Sequence, residues 1–155
     1  MPIDVGPIRA AEFPVTGSHL YFNHAGVSPI PACSAAAGIR MLESSRDEGG
    51  FHLRKWEEVA AGARERFARI VGASPEEVAF VKNTSEGISF VAAGFPWRDG
   101  DNLVTANVEY PSNVYPWMRL RTRNVETRMV PARDGRVRTQ DLFPACDGKT
   151  RLVAL

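Results

Sequence analysis

An α/β fold, with a mostly parallel sheet flanked by helices, is predicted for this chain by three observations. Short apolar runs at 78–81, 102–108, 125–130 and 151–155 have strand length. Stretches with apolar residues at helical spacing lie between them, and the junctions are dense in Gly, Pro, Asn and Asp. Strands that alternate with helices build parallel sheets, because each crossover returns the chain to the same edge.

From Pro31 to Arg46, Ala32, Ala35, Ala36, Ile39 and Leu42 share one helical face, and Gly49-Gly50 closes the run. Trp56, Val59, Ala60, Ala63, Phe67 and Ile70 recur at the same spacing, with Gly72 where a C′ glycine belongs, predicting a core-facing helix. Ser74-Pro75-Glu76-Glu77 has a cap residue, a proline at the first helical position and a carboxylate three residues after the cap, which predicts one helical turn. Val78 to Val81 lacks polar alternation and reads as a strand buried on both faces. After the polar turn Lys82 to Gly87, residues Ile88, Val91 and Ala92 resume helical spacing as far as Gly94.

Phe95 to Asp101 is a turn, and Asn102 to Val108 is the next strand. A helix is predicted over Asn113 to Arg123, a strand over Val125 to Val130, a turn at Arg133-Asp134-Gly135 and a short helix over Thr139 to Ala145. The run from Thr150 rises into a strand over Arg151 to Leu155 and stops there, so a truncated domain is expected. No internal repeat, low-complexity tract or linker interrupts this order.

Composition narrows the function classes. Nineteen Lys and Arg against 18 Asp and Glu leave a formal charge of +1, so no bulk charge draws the chain to nucleic acid or a membrane surface. With 44% apolar and 24% charged residues it has ordinary globular usage, which excludes disorder, collagen and coiled coil. Cys33 and Cys146 stand far apart without a CxxC or a paired His cluster, arguing against a disulfide scaffold or a metal site. The N-terminus has no basic start followed by an apolar run, and no stretch reaches the ~18 apolar residues of a membrane span, so a cytoplasmic protein is expected.

Parallel sheets bind ligands outside the carboxyl ends of their strands, which directs attention to the turns after Val81 and Val108. Asn83-Thr84-Ser85 offers hydroxyls and backbone N–H groups at a helix start, a setting for an anion such as phosphate. The alternative reading is that Thr84 or Ser85 simply caps that helix. The segment has neither GxxxxGK[ST] nor GxGxxG, so nucleotide binding loses its best support. Glu109-Tyr110-Pro111-Ser112-Asn113 sets an aromatic at the same sheet edge, where Tyr110 either stacks on a flat ligand or packs. Tyr21-Phe22-Asn23-His24-Ala25-Gly26 forms a third polar turn, in which His24 is a candidate ligand or proton carrier, or makes local hydrogen bonds only.

Taken together and in this order, these segments resemble the class V aminotransferase family, pyridoxal-phosphate (PLP) enzymes of fold type I that include cysteine desulfurases and isopenicillin-N-epimerase-like proteins. Tyr21 to Gly26 with Pro29 and Pro31 is similar to the family's "Y-L-D/N-x-A-A/G…P" opening. Gly72 to Ser89 resembles "G-A-x-P-E-E-I-x-F-T-x-x-T-T-E-A/G-I-N", and Gly100-Asp101, Glu109 to Asn113 and Pro116-Trp117 resemble "G-D…E-H-H-A/S-N…P-W".

The resemblance implies PLP as cofactor, an amino acid attacked at Cα as substrate and a homodimeric parent, with no nucleic-acid or membrane partner. Thr84 and Ser85 fall where the family holds the cofactor phosphate, Tyr110 where an aromatic or histidine stacks on the ring, and Asn23 and His24 where substrate is expected. Residues 1–30 would form an N-terminal segment with an active-site-like turn, and 31–155 the first, incomplete part of the large domain. Tyr110-Pro111 replaces the His-His of many cysteine desulfurases, and a tyrosine with a pKa of about 10 is a poorer proton carrier near neutrality, which favours the epimerase-like or broader aminotransferase groups. The family's Schiff-base lysine lies beyond the point matched by Leu155, and Lys55, Lys82 and Lys149 match other positions, so no catalytic residue is expected here. The competing expectations are a non-catalytic module for phosphate ligands and a fragment without function.

Overall fold

The computed structural model describes residues 4–155, in two compact units, 1–78 and 79–155. The first holds helices α1 (Gly6–Glu12), α2 (Ala32–Glu48) and α3 (Leu53–Val71). Pro31 precedes α2 and provides no side-chain cap, so an acceptor must come from elsewhere. Glu12, at the end of α1, supplies it: the Cys33 N–H donates to its Oε2 at 2.8 Å, and this bond holds the Glu12 carboxyl below its ordinary value. Gly49, at φ 60°, closes α2 two residues beyond the expected end.

Gly72 ends α3 as its position suggested, left-handed at φ 71°. The capping box follows: the Ser74 N–H and Oγ both donate to Glu77 Oε2, at 2.9 and 3.1 Å, around the 3-10 turn Pro75–Glu77. The core-facing role expected of α3 is not met within the described residues. Ala68 alone is buried, while Phe67 and Ile70 are 54% and 81% exposed. The first unit contains no strand among its described residues that could form a sheet within it.

The second unit is built on three parallel strands, β1 (Asn102–Ala106), β2 (Glu126–Val130) and β3 (Thr150–Ala154), in the order β2-β1-β3. Every residue of β1 is buried. Its side chains alternate between faces: Leu103 packs with Ala92, Trp117, Leu120, Val125 and Ala154, and Val104 packs with Val130 and Leu142 on the other side. Helices α4 (Thr84–Gly94) and α5 (Tyr115–Met118) serve the first cluster and α6 (Thr139–Leu142) the second. The α/β class and the parallel sheet therefore stand as read from the sequence.

Three expectations are corrected. Val78 to Val81 is not a strand among the described residues: Val78 is extended but donates its N–H to the Pro75 carbonyl, and Phe80 and Val81 are exposed. The strand from Asn102 ends at Ala106, not Val108. The helix expected over Asn113 to Arg123 is broken into the 3-10 turn Pro111–Asn113, the single turn α5 and a 3-10 turn Arg119–Arg123. Pro116 causes the first break, since it lacks an N–H and clashes with a preceding helical turn, so a helix can restart at it but not run through it. The turn at Arg133-Asp134-Gly135 holds, with Asp134 at φ 51° and Gly135 at φ 69° between the mutual backbone bonds of Arg133 and Arg136.

One polar cluster ties all three strands, through the amino ends of β1 and β3 and the middle of β2. Asp147 Oδ1 accepts from Asn102 Nδ2 and from the Lys149 N–H, both at 2.8 Å, and its Oδ2 accepts from Arg128 Nη1 at 2.8 Å. Thr150 Oγ1 donates to Asn102 Oδ1 at 2.7 Å, where the β1–β3 register shifts by one residue. The Asn102 amide, then the Lys149 N–H and the Arg128 guanidinium, hold the Asp147 carboxyl far below the usual carboxylate range.

Two outcomes follow. Leu103→Ala empties the centre of the larger cluster and lowers stability by about 2–5 kcal/mol in urea unfolding. A carboxyl whose folded-state pKa is lowered stabilises fully above its unfolded value, about pH 4, and loses that contribution as pH falls towards the folded value. Asp147→Asn therefore lowers the melting temperature at neutral pH, and its gap from the parent chain narrows on acidification below about pH 4. A gap independent of pH would contradict this assignment.

Candidate functional site

At the helix start after Val81 the cap is neither Thr84 nor Ser85. Asn83, extended at φ −164° and ψ 168°, is the N-cap, and its Oδ1 accepts from the Glu86 N–H at 2.9 Å. Thr84 and Ser85 are thus the first two residues of α4, where backbone N–H groups have no intrahelical acceptor. Among the described residues, neither hydroxyl has a hydrogen-bond partner, and both side chains are exposed. The Glu86 carboxylate, one turn in, is turned back: Oε2 accepts from the Lys82 N–H at 2.9 Å, and Oε1 lies 3.3 Å from Lys82 Nζ. An ion pair so exposed contributes little to stability, but it engages the nearest negative charge.

Beyond the carboxyl end of β1 the chain turns at Glu109 and Tyr110 into the 3-10 turn Pro111–Asn113. The proline confines Tyr110 to an extended backbone, φ −65° and ψ 145°. Tyr110 is 74% exposed and lines an open cleft of about 380 Å³. Ser85 and Ser89 of α4 line the same cleft, opposite Pro111, Ser112, Tyr115 and Pro116. Two of the residues singled out in the sequence, Ser85 and Tyr110, therefore share one cleft, and Thr84 stands beside Ser85 at the helix start.

Ser89, Ser112, Tyr115 and the cap Asn83 were not anticipated. Ser89 lies four residues after Ser85, hence on the same helix face, and its Oγ donates to the Ser85 carbonyl at 2.6 Å. Asn83-x-x-Glu86 has the spacing of an N-terminal cap signal, which would have identified Asn83.

In the first unit, Asn23 and His24 belong to a tight turn. Asn23 Oδ1 accepts from the Gly26 N–H at 3.2 Å, its carbonyl accepts from the Val27 N–H at 3.1 Å, and the Tyr21 hydroxyl donates to the Val27 carbonyl. A Cβ on Gly26 would stand 2.5 Å from Asn23 Oδ1, so glycine is needed for this closure. The His24 ring meets Tyr21 edge-on, 5.3 Å between centroids, and both border an apolar cleft of about 700 Å³ with Ile8, Phe13 and Phe22. Cys33 and Cys146 are free thiols, and no group of three or more metal-ligating side chains occurs among the described residues.

A parallel sheet with an anion-ready helix start at its carboxyl edge has the general form of phosphate-binding α/β proteins. The fold is PLP fold type I. It matches a C-DES mutant with glycine covalently linked to the PLP cofactor at a TM-score of 0.82 and 22% identity, over 99% of this chain and 40% of that one. It matches the cysteine desulfurase CsdA from Escherichia coli at 0.78 and 19%, over 99% and 41%. The family model for aminotransferase class-V matches residues 20–155, and the chain belongs to that PLP-dependent family. A probable cysteine desulfurase of Methanothermobacter thermautotrophicus is 36% identical over 156 residues, 93% of this chain. The chain spans 37% of that relative's length. This relative and CsdA are named as desulfurases, the group from which Tyr110-Pro111 had argued away.

Proposed function

We propose that this chain forms part of a PLP-dependent class V enzyme acting at the Cα of an amino acid, and that the cleft between α4 and Tyr110 is its share of the cofactor site. The observation that carries this reading is the meeting of Ser85 and Tyr110 on one cleft at the carboxyl edge of β1. When bound, the cofactor supplies an electron sink for negative charge developing at Cα. The donor set fits its phosphate: two hydroxyls and two N–H groups without internal partners, at the positive end of an 11-residue helix. The helix dipole contributes only about 0.3–1 kcal/mol, so the direct bonds from Thr84 and Ser85 dominate. Stacking by Tyr110 adds about 0.5–1.5 kcal/mol beyond area burial and orients the ring.

Cysteine is the favoured substrate, on the names of the relatives. Asn23 and His24 are assigned to the substrate; the Asn23 carboxamide keeps its NH₂ available while Oδ1 closes the turn. A homodimeric, cytoplasmic parent completes the proposal, and no helix among the described residues is long and apolar enough to cross a membrane. No observation favours a non-catalytic phosphate module over this reading.

Because Asn83 is the cap, Thr84→Ala with Ser85→Ala removes the two hydroxyls and leaves the helix start intact. The double variant keeps the parent melting temperature and weakens PLP binding about tenfold or more, as expected for two bonds to a charged group. The titration is followed by cofactor absorbance, and unchanged affinity would refute the phosphate assignment.

A further inference from the structure

The turn that carries Tyr110 is held by side-chain bonds in addition to the backbone bonds of its short 3-10 turn. Trp117 is the anchor: it is 3% exposed and packs in the cluster around Leu103 and Leu120. Its indole Nε1–H donates to Asn113 Oδ1 at 2.9 Å. An indole is a donor only, so this bond fixes which end of the Asn113 carboxamide is oxygen and turns the NH₂ the other way. That NH₂ donates to Glu109 Oε2 at 3.0 Å. The Asn113 N–H meanwhile donates to the Tyr110 carbonyl at 2.8 Å. Asn113 thus grips both residues that precede Pro111, and the direction of its two side-chain bonds is set from the buried indole outward.

We propose that Trp117, Asn113 and Glu109 form a hydrogen-bond relay that fixes the turn presenting Tyr110 to the cleft, with Asn113 as a positioning residue of the site. Its bearing on the cofactor rests on the reading of Tyr110 as the ring-facing residue. The relay has a definite polarity. Asn113 must accept at Oδ1 and donate at Nδ2, and Glu109 must accept. An aspartate at 113 is nearly isosteric and still accepts from the indole, but sets a carboxylate against Glu109. A glutamine at 109 can donate, and so reverses the bond instead of losing it.

This polarity makes a swap experiment possible in the full chain. Amide hydrogen exchange at Tyr110 to Val114 is measured without cofactor, and PLP affinity by absorbance titration. Asn113→Asp is expected to speed exchange in that segment and to weaken PLP binding about fivefold, the equivalent of one ordinary hydrogen bond. Adding Glu109→Gln to Asn113→Asp restores both, which a loss of general packing would not allow. Glu109→Gln alone keeps an acceptor and stays near the parent. Unchanged exchange in Asn113→Asp, or failure of the second substitution to restore it, overturns the relay. Tyr110→Leu separates the two claims: if exchange follows the swap but Tyr110→Leu binds PLP like the parent, the stacking reading fails while the relay stands.

Discussion

The second unit depends on one constraint: β1 must be covered on both faces and paired on both edges. A five-residue strand with no exposed residue has no solvent to satisfy its backbone, so β2 and β3 have to flank it. The alternation of Leu103 and Val104 then demands apolar cover above and below, which α4 with α5 and α6 supply. Asp147 ties the strands from one end of the sheet, Asn107 bonds the chain beyond β1 to that beyond β2 at the other, and the cleft lies past the carboxyl end of β1.

Features fixed by neighbours in sequence were legible without a structure. Gly72 as a helix stop, the Ser74 and Glu77 box and the Asp134-Gly135 turn each rest on a conformation or a bond within a few residues. Features that need distant partners were not. Val78 to Val81 has strand composition, but a strand is a relation between segments, and the described sheet does not include it. The stripe on α3 predicts burial, yet what buries it is not written in α3. Pro116 was visible in the sequence and outweighed by the apolar spacing around it, although one missing N–H and one clash suffice to break a helix.

The site shows the same division. Thr84, Ser85 and Tyr110 were identifiable as candidates because hydroxyls at a helix start and an aromatic at a strand end are local signals. Their division of labour was not, since it turns on Asn83 taking the capping role and leaving the two hydroxyls without internal duty. The anchoring of Tyr110 through a buried indole depends on the position of Trp117 in the core, seven residues away and folded back over the turn.

The central claim is that the cleft between the start of α4 and Tyr110 receives the cofactor, phosphate at the helix and ring at the tyrosine. The most direct measurement is a crystal structure of the chain grown with PLP. The account predicts phosphate oxygens within hydrogen-bond reach of the Ser85 hydroxyl and the first-turn N–H groups, with the pyridine ring parallel to Tyr110. Cofactor density elsewhere on the chain, or a ring turned away from Tyr110, would contradict it.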